Sequence, residues 1–151
     1  MSTLTQEGQQ AVVAHTIDCD APPFLPDGWK GVEEHPQGGQ LTWDKTAQQD
    51  ALYIAGGQKR RPGLRGDNLR EELKGKPVLN ANVLGYLLAH PELIPEEWEK
   101  YRVFFWGTIY RDLHGFLCVR CLDWRDGGWR WHYSWLDLVW LDLDPAALRA
   151  S

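Results

Sequence analysis

The C-terminal third of this chain contains three strand-like segments joined by turns of only a few residues. The segments are YRVFFWGTIY, FLCVRCLDW and WRWHYSWLDLVW, and the turns between them are RDLHG and RDGG. All of the segments are rich in aromatic and β-branched residues, which favour strands. Because such short connections join neighbouring antiparallel strands, the sequence predicts a three-stranded antiparallel meander.

Two helical segments are predicted ahead of the meander. Asp67 is placed to cap a first helix that ends at Gly75, and Pro77 is placed in the first turn of a second helix, PVLNANVLGYLLAH. The second helix has an apolar face formed by Leu79, Val83, Leu84, Leu87 and Leu88. The sequence therefore predicts the α+β class: an antiparallel sheet with a C-terminal three-stranded meander and one or two helices packed on one face.

Nearer the N-terminus the pattern is less regular. The run AVVAHTIDC favours a strand, and the segments WKGVEEH and QLTWD favour a hairpin around the turn PQGG. Residues 1–10 are polar and predict a flexible tail. Residues 11–151 predict a single globular domain, because no long linker divides them and their number is sufficient for one core.

The distribution of charge limits the classes of partner. The chain carries a formal net charge of −5, but the segment from Lys59 to Lys76 holds seven cations and three acids, so it is +4 and the remainder is −9. A general nucleic-acid-binding domain has a broad excess of positive charge, which this chain lacks. The sequence offers no membrane-spanning apolar run and no signal peptide. With three cysteines, we expect reduced thiols in a cytoplasmic protein.

The last strand-like segment contains a candidate ligand-binding row on one face, formed by Trp129, Trp131, Tyr133 and Trp135. Rings in such a row can stack on sugars or bases, and a stacked base contributes about 1–3 kcal/mol. The alternative is that the row faces the helices and belongs to the core, which we favour for most of the rings. Beyond Trp135 the apolar residues change from odd-numbered to even-numbered positions, which predicts a bulge or bend near residues 134–136.

The loop QKRRPGLRG is a second candidate for ligand binding. Arg60, Arg61 and Arg65 precede a predicted helix N-terminus, where backbone N–H groups and the helix dipole favour an anion. A solvated loop is the alternative, because runs of charge usually lie in water. The glycines around this loop fit neither a phosphate-binding nor a dinucleotide-binding pattern, so no nucleotide cofactor is predicted.

The sequence predicts no catalytic or metal-binding set. On an extended strand Cys118 and Cys121 point to opposite faces, so they do not readily share a metal ion. His132 and Ser134 share a face, but the glycine-flanked turn of a nucleophilic serine is missing. A site in which one histidine meets an aspartate or a cysteine only in three dimensions stays open as an alternative.

The segments LIPEEW and FFWGTIYR, with the leucine-rich helix before them and the tryptophan-rich hairpin after them, resemble a group of small bacterial proteins of unknown function. The resemblance covers about residues 56–146. It implies a bacterial, intracellular origin. It carries over no activity and no catalytic residues.

Three functional interpretations follow from these patterns. The first is a non-enzymatic binding or interaction module whose partner is another protein or an anionic or flat-faced ligand. The second is a small hydrolase-like enzyme with a histidine-centred site, and the third is a homodimer assembled through its aromatic surface. We prefer the first, because the aromatic row and the basic loop occur without a convergent catalytic set.

Replacing the adjacent arginines of the basic loop tests their role. We expect Arg60→Ala combined with Arg61→Ala to change the free energy of unfolding by less than about 1 kcal/mol, because surface charges contribute little to stability. The same change is expected to weaken any binding of anions. Urea denaturation followed by tryptophan fluorescence measures the stability, and a larger loss would mean that these arginines support the fold.

Overall fold

The computed structural model describes residues 14–151, so the predicted tail at residues 1–10 lies outside the described residues. The helices are α1 Lys45–Gln49, α2 Gly66–Glu72 and α3 Ala81–Ala89, with 3₁₀ turns at Gly56–Lys59, Pro91–Leu93 and Glu96–Lys100. The strands are β1 Thr16–Asp18, β2 Gly31–Glu34, β3 Gln40–Thr42, β4 Leu52–Tyr53, β5 Leu64–Arg65, β6 Arg102–Phe104, β7 Ile109–Arg111, β8 Leu117–Arg125, β9 Gly128–Trp135, β10 Val139–Trp140 and β11 Ala146–Ala147. The α+β class is confirmed. Within the described range, no helix is long and apolar enough to cross a membrane.

Strand β8 organises the main sheet. β9 pairs with one edge of β8 along residues 118–125, while β6 and β7 lie end to end along the other edge. The antiparallel meander is therefore confirmed, although a turn at residues 105–108 divides its first strand into β6 and β7. Asp126 and Gly127 connect β8 to β9 with φ angles of 51° and 76°, which is the pattern of a two-residue type I′ hairpin.

Further strands extend the sheet on both sides of the meander. β2 pairs with β7, and β11 pairs in parallel with β6 and antiparallel with β4. The hairpin predicted around residues 36–39 is wrong, because β2 joins the main sheet whereas β3 pairs with β1. Gly39 explains the difference: its N–H donates to Asp20 Oδ1 and its C=O accepts from Cys19 N–H, which ties the turn to β1.

Both faces of β8 are covered, because its alternate residues belong to different hydrophobic clusters. On one face Leu122 packs in a cluster with Leu84 and Leu87 of α3. On the opposite face Val119 packs in a cluster with Leu69 and Leu73 of α2. One helix, α3, thus lies on one face of the sheet as predicted, and α2 covers the other.

Helix α3 begins later than predicted. Asn80 is its N-cap, because the Asn80 Oδ1 accepts a hydrogen bond of 3.0 Å from the Asn82 N–H. Pro77 lies in the extended connection before the helix, where its C=O accepts from the Arg149 N–H. A side-chain acceptor at the cap therefore decides the start of the helix, rather than the preference of proline for a first turn.

Strand β9 ends at Trp135, within the predicted region of the bend. The N–H of Leu138 donates to the Trp135 C=O in a turn, and Leu136 packs in the cluster on the α2 side of the sheet. β10 then pairs with β5 in a separate two-stranded sheet. The chain therefore leaves the main sheet immediately after the aromatic row.

Gly66 provides a test of this fold, because other parts of the chain pack directly on its Cα. A Cβ at this position would lie 2.6 Å from Leu136 Cα and 2.8 Å from Trp140 Nε1. We expect Gly66→Ala to lower the free energy of unfolding by about 2 kcal/mol, as measured by urea denaturation. Gly85→Ala is the matched control inside α3, where the space around Cα is open, and it should stabilise by about 0.5–1 kcal/mol. Equal stability of the two variants would contradict this packing.

Candidate functional site

The outer edge of strand β9 has no partner strand among the described residues, because β9 pairs with β8 alone. The Leu136 N–H donates to the Leu117 C=O at 3.1 Å. This bond determines which alternate residues of β9 form hydrogen bonds with β8. Backbone groups in an antiparallel pair point alternately toward and away from the partner strand. In this phase the groups of even-numbered residues in β9 bond to β8. Those of Trp129, Trp131 and Tyr133 point outward.

The same residues carry the aromatic row predicted from the sequence. Trp129, Trp131, Tyr133 and Trp135 all lie partly buried on the face of the sheet that α3 covers. Trp129 and Trp131 pack against the cluster that contains α3, whereas Tyr133 and Trp135 pack against a smaller cluster around Tyr110. The row is therefore neither a sealed core nor a fully exposed platform.

Trp29 holds the middle of the row in place. Its ring meets Tyr133 edge-on at a centroid distance of 4.9 Å and Trp131 at 5.9 Å. On its other side it meets Tyr110 at 5.3 Å, also edge-on. Edge-to-face pairs of this kind contribute about 0.5–1.5 kcal/mol beyond burial. The rings are consequently presented in a fixed arrangement before any ligand arrives.

Asp112 fixes the C-terminal end of the row. Its Oδ2 accepts a hydrogen bond of 2.7 Å from Trp135 Nε1, and its Oδ1 accepts from the backbone N–H groups of His114 and Phe116. Burial acts to raise the pKa of the Asp112 carboxyl, but these hydrogen bonds outweigh it and hold the pKa below its ordinary value. The charged carboxylate is thus part of what orients Trp135.

Arg120 lies beneath the row, and only 3% of it is exposed. Its guanidinium stacks over the ring of Trp131 at 4.2 Å and over that of Phe24 at 5.2 Å. Within residues 14–151 it forms no ion pair with a carboxylate, and its Nε has no hydrogen-bond partner. Burial lowers the pKa of this guanidinium. The neighbouring Tyr110 acts in the opposite direction on this pKa. A positive charge therefore lies beside the aromatic row, in contact with the faces of its rings.

The opposite face of β9 is polar. Arg130 and His132 are exposed there, and Asp123 of β8 is buried beside them. Asp123 Oδ2 binds Arg125 Nε at 2.8 Å and lies 3.9 Å from His132 Nε2. Arg130 forms no ion pair with any carboxylate that the structure describes. The edge of β9 is thus aromatic on one side and cationic on the other.

The basic loop does not join the aromatic row. Leu64, next to Arg65, packs against the cluster on the α2 side of the sheet, which is the side opposite the row. Arg65 is engaged with Asp67 at 3.0 Å and with the Asp137 C=O at 3.1 Å. Arg60 and Arg61 are exposed. The aromatic row and the basic loop, the two ligand-binding candidates from the sequence, therefore lie on opposite faces of the main sheet.

The cysteines give little support to a nucleophilic or metal-binding role. Burial raises the pKa of Cys118 to about 12 and that of Cys121 to about 12, so both thiols stay protonated at neutral pH. Their side chains lie in clusters on opposite faces of β8, as predicted. Among the described residues there is no group of three or more His, Cys, Asp and Glu side chains placed to hold a metal ion.

Sequence reasoning missed the groups that support the row. The sequence predicts Arg120 only as one residue of a strand. Its spacing of two residues from Leu122 nevertheless places both side chains on the same, apolar face. Trp29 and Asp112 approach the row from two connecting segments, one before β2 and one after β7. No local pattern could have revealed contacts at such sequence separations.

Comparison with known proteins gives no relative: no protein-family model matches the chain, and neither a curated protein nor a solved structure is significantly similar to it. The geometry of the site is therefore the basis for any functional proposal.

The hydrogen bonds to Asp112 predict a pH dependence of stability. Because the pKa of Asp112 is lower in the folded protein than in the unfolded chain, its contribution is present above about pH 4 and is lost as the pH falls through the folded value. We expect the stability difference between the wild type and Asp112→Asn to shrink as the pH falls from 7 to about 2. Urea denaturation at several pH values measures it, and a constant difference would contradict the assignment.

Proposed function

We propose that this protein is a non-enzymatic binding domain that takes an extended polypeptide segment as an additional strand on β9. One observation carries the proposal: Trp129, Trp131 and Tyr133 present both outward backbone groups and partly exposed rings. Addition of a strand to an open sheet edge uses these two features together. The backbone supplies affinity, and alternate side chains supply specificity.

The dimensions of β9 suit this mode of binding. The strand is 8 residues long, and three of its residues offer an outward N–H and an outward C=O. Each hydrogen bond formed there contributes about 0.5–1.5 kcal/mol net. Because β8 is buried on both faces and holds β9 along its whole length, the edge is ordered before binding, which reduces the entropic cost of association.

The side chains indicate the chemistry of the incoming segment. On the aromatic side, Trp129 and Trp131 offer apolar surface to alternate residues of the ligand. On the opposite side, Arg130 lacks a carboxylate partner among the described residues, and His132 is exposed beside it. A segment that alternates apolar and acidic residues would fill both sides.

The same charges argue against a second copy of this chain as the partner. Antiparallel pairing of two β9 strands about Trp131 would place Arg130 of each copy opposite His132 of the other. Neither position supplies an acid, so the exposed cation would stay unpaired. A heterologous segment with acidic side chains is the better complement.

A nucleic acid is also a poorer complement than an acidic peptide. The chain is acidic overall, with a formal charge of −5, and the cations of the basic loop lie on the face opposite the row. Edge-on packing by Trp29 occupies part of the ring surface that bases would need.

We further infer a reducing, cytoplasmic setting in a bacterium, in keeping with free buried thiols.

Amide hydrogen exchange tests the proposal directly. In the free protein we expect the amides of Trp129, Trp131 and Tyr133 to exchange faster than those of Arg130 and His132, because only the latter bond to β8. A peptide of alternating valine and glutamate, matched to the 8 residues of β9, should bind saturably and slow the three outward amides. Binding without this slowing would contradict strand addition.

Two controls isolate the roles of charge and partner. Arg130→Glu should weaken binding of the glutamate peptide by about tenfold, or about 1.4 kcal/mol, and should favour the matching valine–lysine peptide. Arg61→Glu, which adds the same charge change on the opposite face, should leave the preference unchanged. Concentration-dependent protection of the outward amides without peptide would instead identify a second copy of this chain as the occupant.

A further inference from the structure

A groove lies on the side of the molecule formed by the segments 34–41 and 70–80. It consists of two adjoining cavities of about 310 Å³ and about 600 Å³. Both are lined by Pro36, Lys76 and Val78, so the two spaces meet at these residues. Cavities of roughly 300–1,000 Å³ are typical of sites for small organic ligands.

The smaller cavity has mainly apolar walls, whereas the larger one combines apolar and charged side chains. Leu41, Leu79 and Cys19 line the smaller cavity, and Leu73, Ile109 and the indole of Trp106 line the larger one. Only a small part of the indole reaches this wall, because its ring packs against Trp140. This lining suits the apolar body of a ligand, and a planar ring system in particular.

The groove also carries positive charge that is not paired with any acid among residues 14–151. Arg70 pairs with Glu34, and Lys74 pairs with Glu71. Lys76 forms no ion pair with a described acid and lies over the ring of Tyr53 at 4.5 Å.

The guanidinium of Arg149, at the rim of the smaller cavity, has a similar character. It donates to the backbone C=O groups of Gly38 at 3.1 Å and Gln40 at 2.9 Å, and it forms no ion pair with a described carboxylate. In a chain of net charge −5, Lys76 and Arg149 make the groove a local site of positive potential. Such a site favours an anion over a neutral ligand.

Trp106 adds an independent indication of a ligand. It is only 4% exposed, and its Nε1–H has no acceptor among residues 14–151. A buried donor left unsatisfied costs about 1–3 kcal/mol, and natively folded proteins leave few of them. Because this nitrogen is itself buried, a shift of the indole would be needed for a ligand oxygen in the groove to accept from it and remove this cost.

We propose that the groove binds a small organic anion with a flat apolar body, of the class of aromatic carboxylic or sulfonic acids. Lys76, at the junction of the two cavities, pairs with the anionic group. The apolar walls of the smaller cavity hold the body, and a shift of the Trp106 indole brings its N–H to an oxygen of the ligand. This site lies apart from the edge of β9 and does not depend on strand addition there.

Anilinonaphthalene sulfonate, a fluorescent aromatic anion, is the probe for this site. We expect it to bind saturably and to shift the Trp106 indole N–H signal in proton–nitrogen correlation spectra, assigned with Trp106→Phe. Lys76→Gln should weaken its binding by about tenfold, whereas Lys59→Gln, outside the groove, should have no effect. The neutral analogue N-phenyl-naphthylamine should bind more weakly than the sulfonate.

Two outcomes would overturn the assignment. One is a shift confined to the indole signals of Trp129 and Trp131, which would place the probe at the aromatic row. The other is equal binding of the sulfonate and its neutral analogue, which would exclude a role for Lys76. Trp106→Phe removes part of a buried ring as well as the unpaired N–H, so some loss of stability is expected from the cavity it leaves. Urea denaturation checks that this variant is folded under the binding conditions, and Lys76→Gln tests the site without changing the core.

Discussion

The register of β8 is the constraint on which the rest of the structure depends. Every residue from 118 to 123 is buried, because this strand separates two hydrophobic clusters and is paired along both edges. A slip of one residue would exchange Arg120 and Leu122 with Val119 and Cys121 across the two faces. Such an exchange would move the guanidinium into the cluster with α2 and leave the aromatic row without its cation. The register is thus fixed by packing on both sides at once.

The character of the β9 edge follows from that register and from the turn before it. A two-residue hairpin loop closes on a hydrogen-bonded pair, here Arg125 and Gly128. Alternation from that pair turns the backbone groups of the odd-numbered residues outward, and these residues carry the rings. Natural sheets usually shield such edges with charges, prolines or short strands. β9 is long and contains no proline, which favours a role for its edge in binding rather than an incidental exposure.

Local patterns predicted much of this fold, and long-range contacts account for the differences. The meander was predictable because its strands are linked by the RDLHG and RDGG turns. The helix of residues 66–72 was also predicted, but Asp67 is not its cap: Asp67 lies in the first turn, and Arg65 occupies the N-cap position. The RDGG turn also determines which backbone N–H and C=O groups of β9 point away from β8, because it sets the hydrogen-bonding phase of the hairpin. The pairing of β2 with β7 and the approach of Trp29 to Tyr133 were not predictable, because they join segments far apart in the chain. Of the candidate site residues, the aromatic row lies at the proposed edge, and Arg60, Arg61 and Arg65 lie elsewhere.

Buried polar atoms without a hydrogen-bond partner occur next to the two candidate surfaces. Among the described side chains that are buried, only Arg120 Nε and Trp106 Nε1 lack a hydrogen-bond partner. Arg120 lies beside the aromatic row, and Trp106 is one of the residues that line the groove. Folding alone gives no advantage to either, since a buried donor without an acceptor is destabilising. Departures from full satisfaction are expected where a protein retains residues for binding. The two unsatisfied atoms therefore support the same two binding surfaces, the β9 edge and the groove, that were identified from shape and charge.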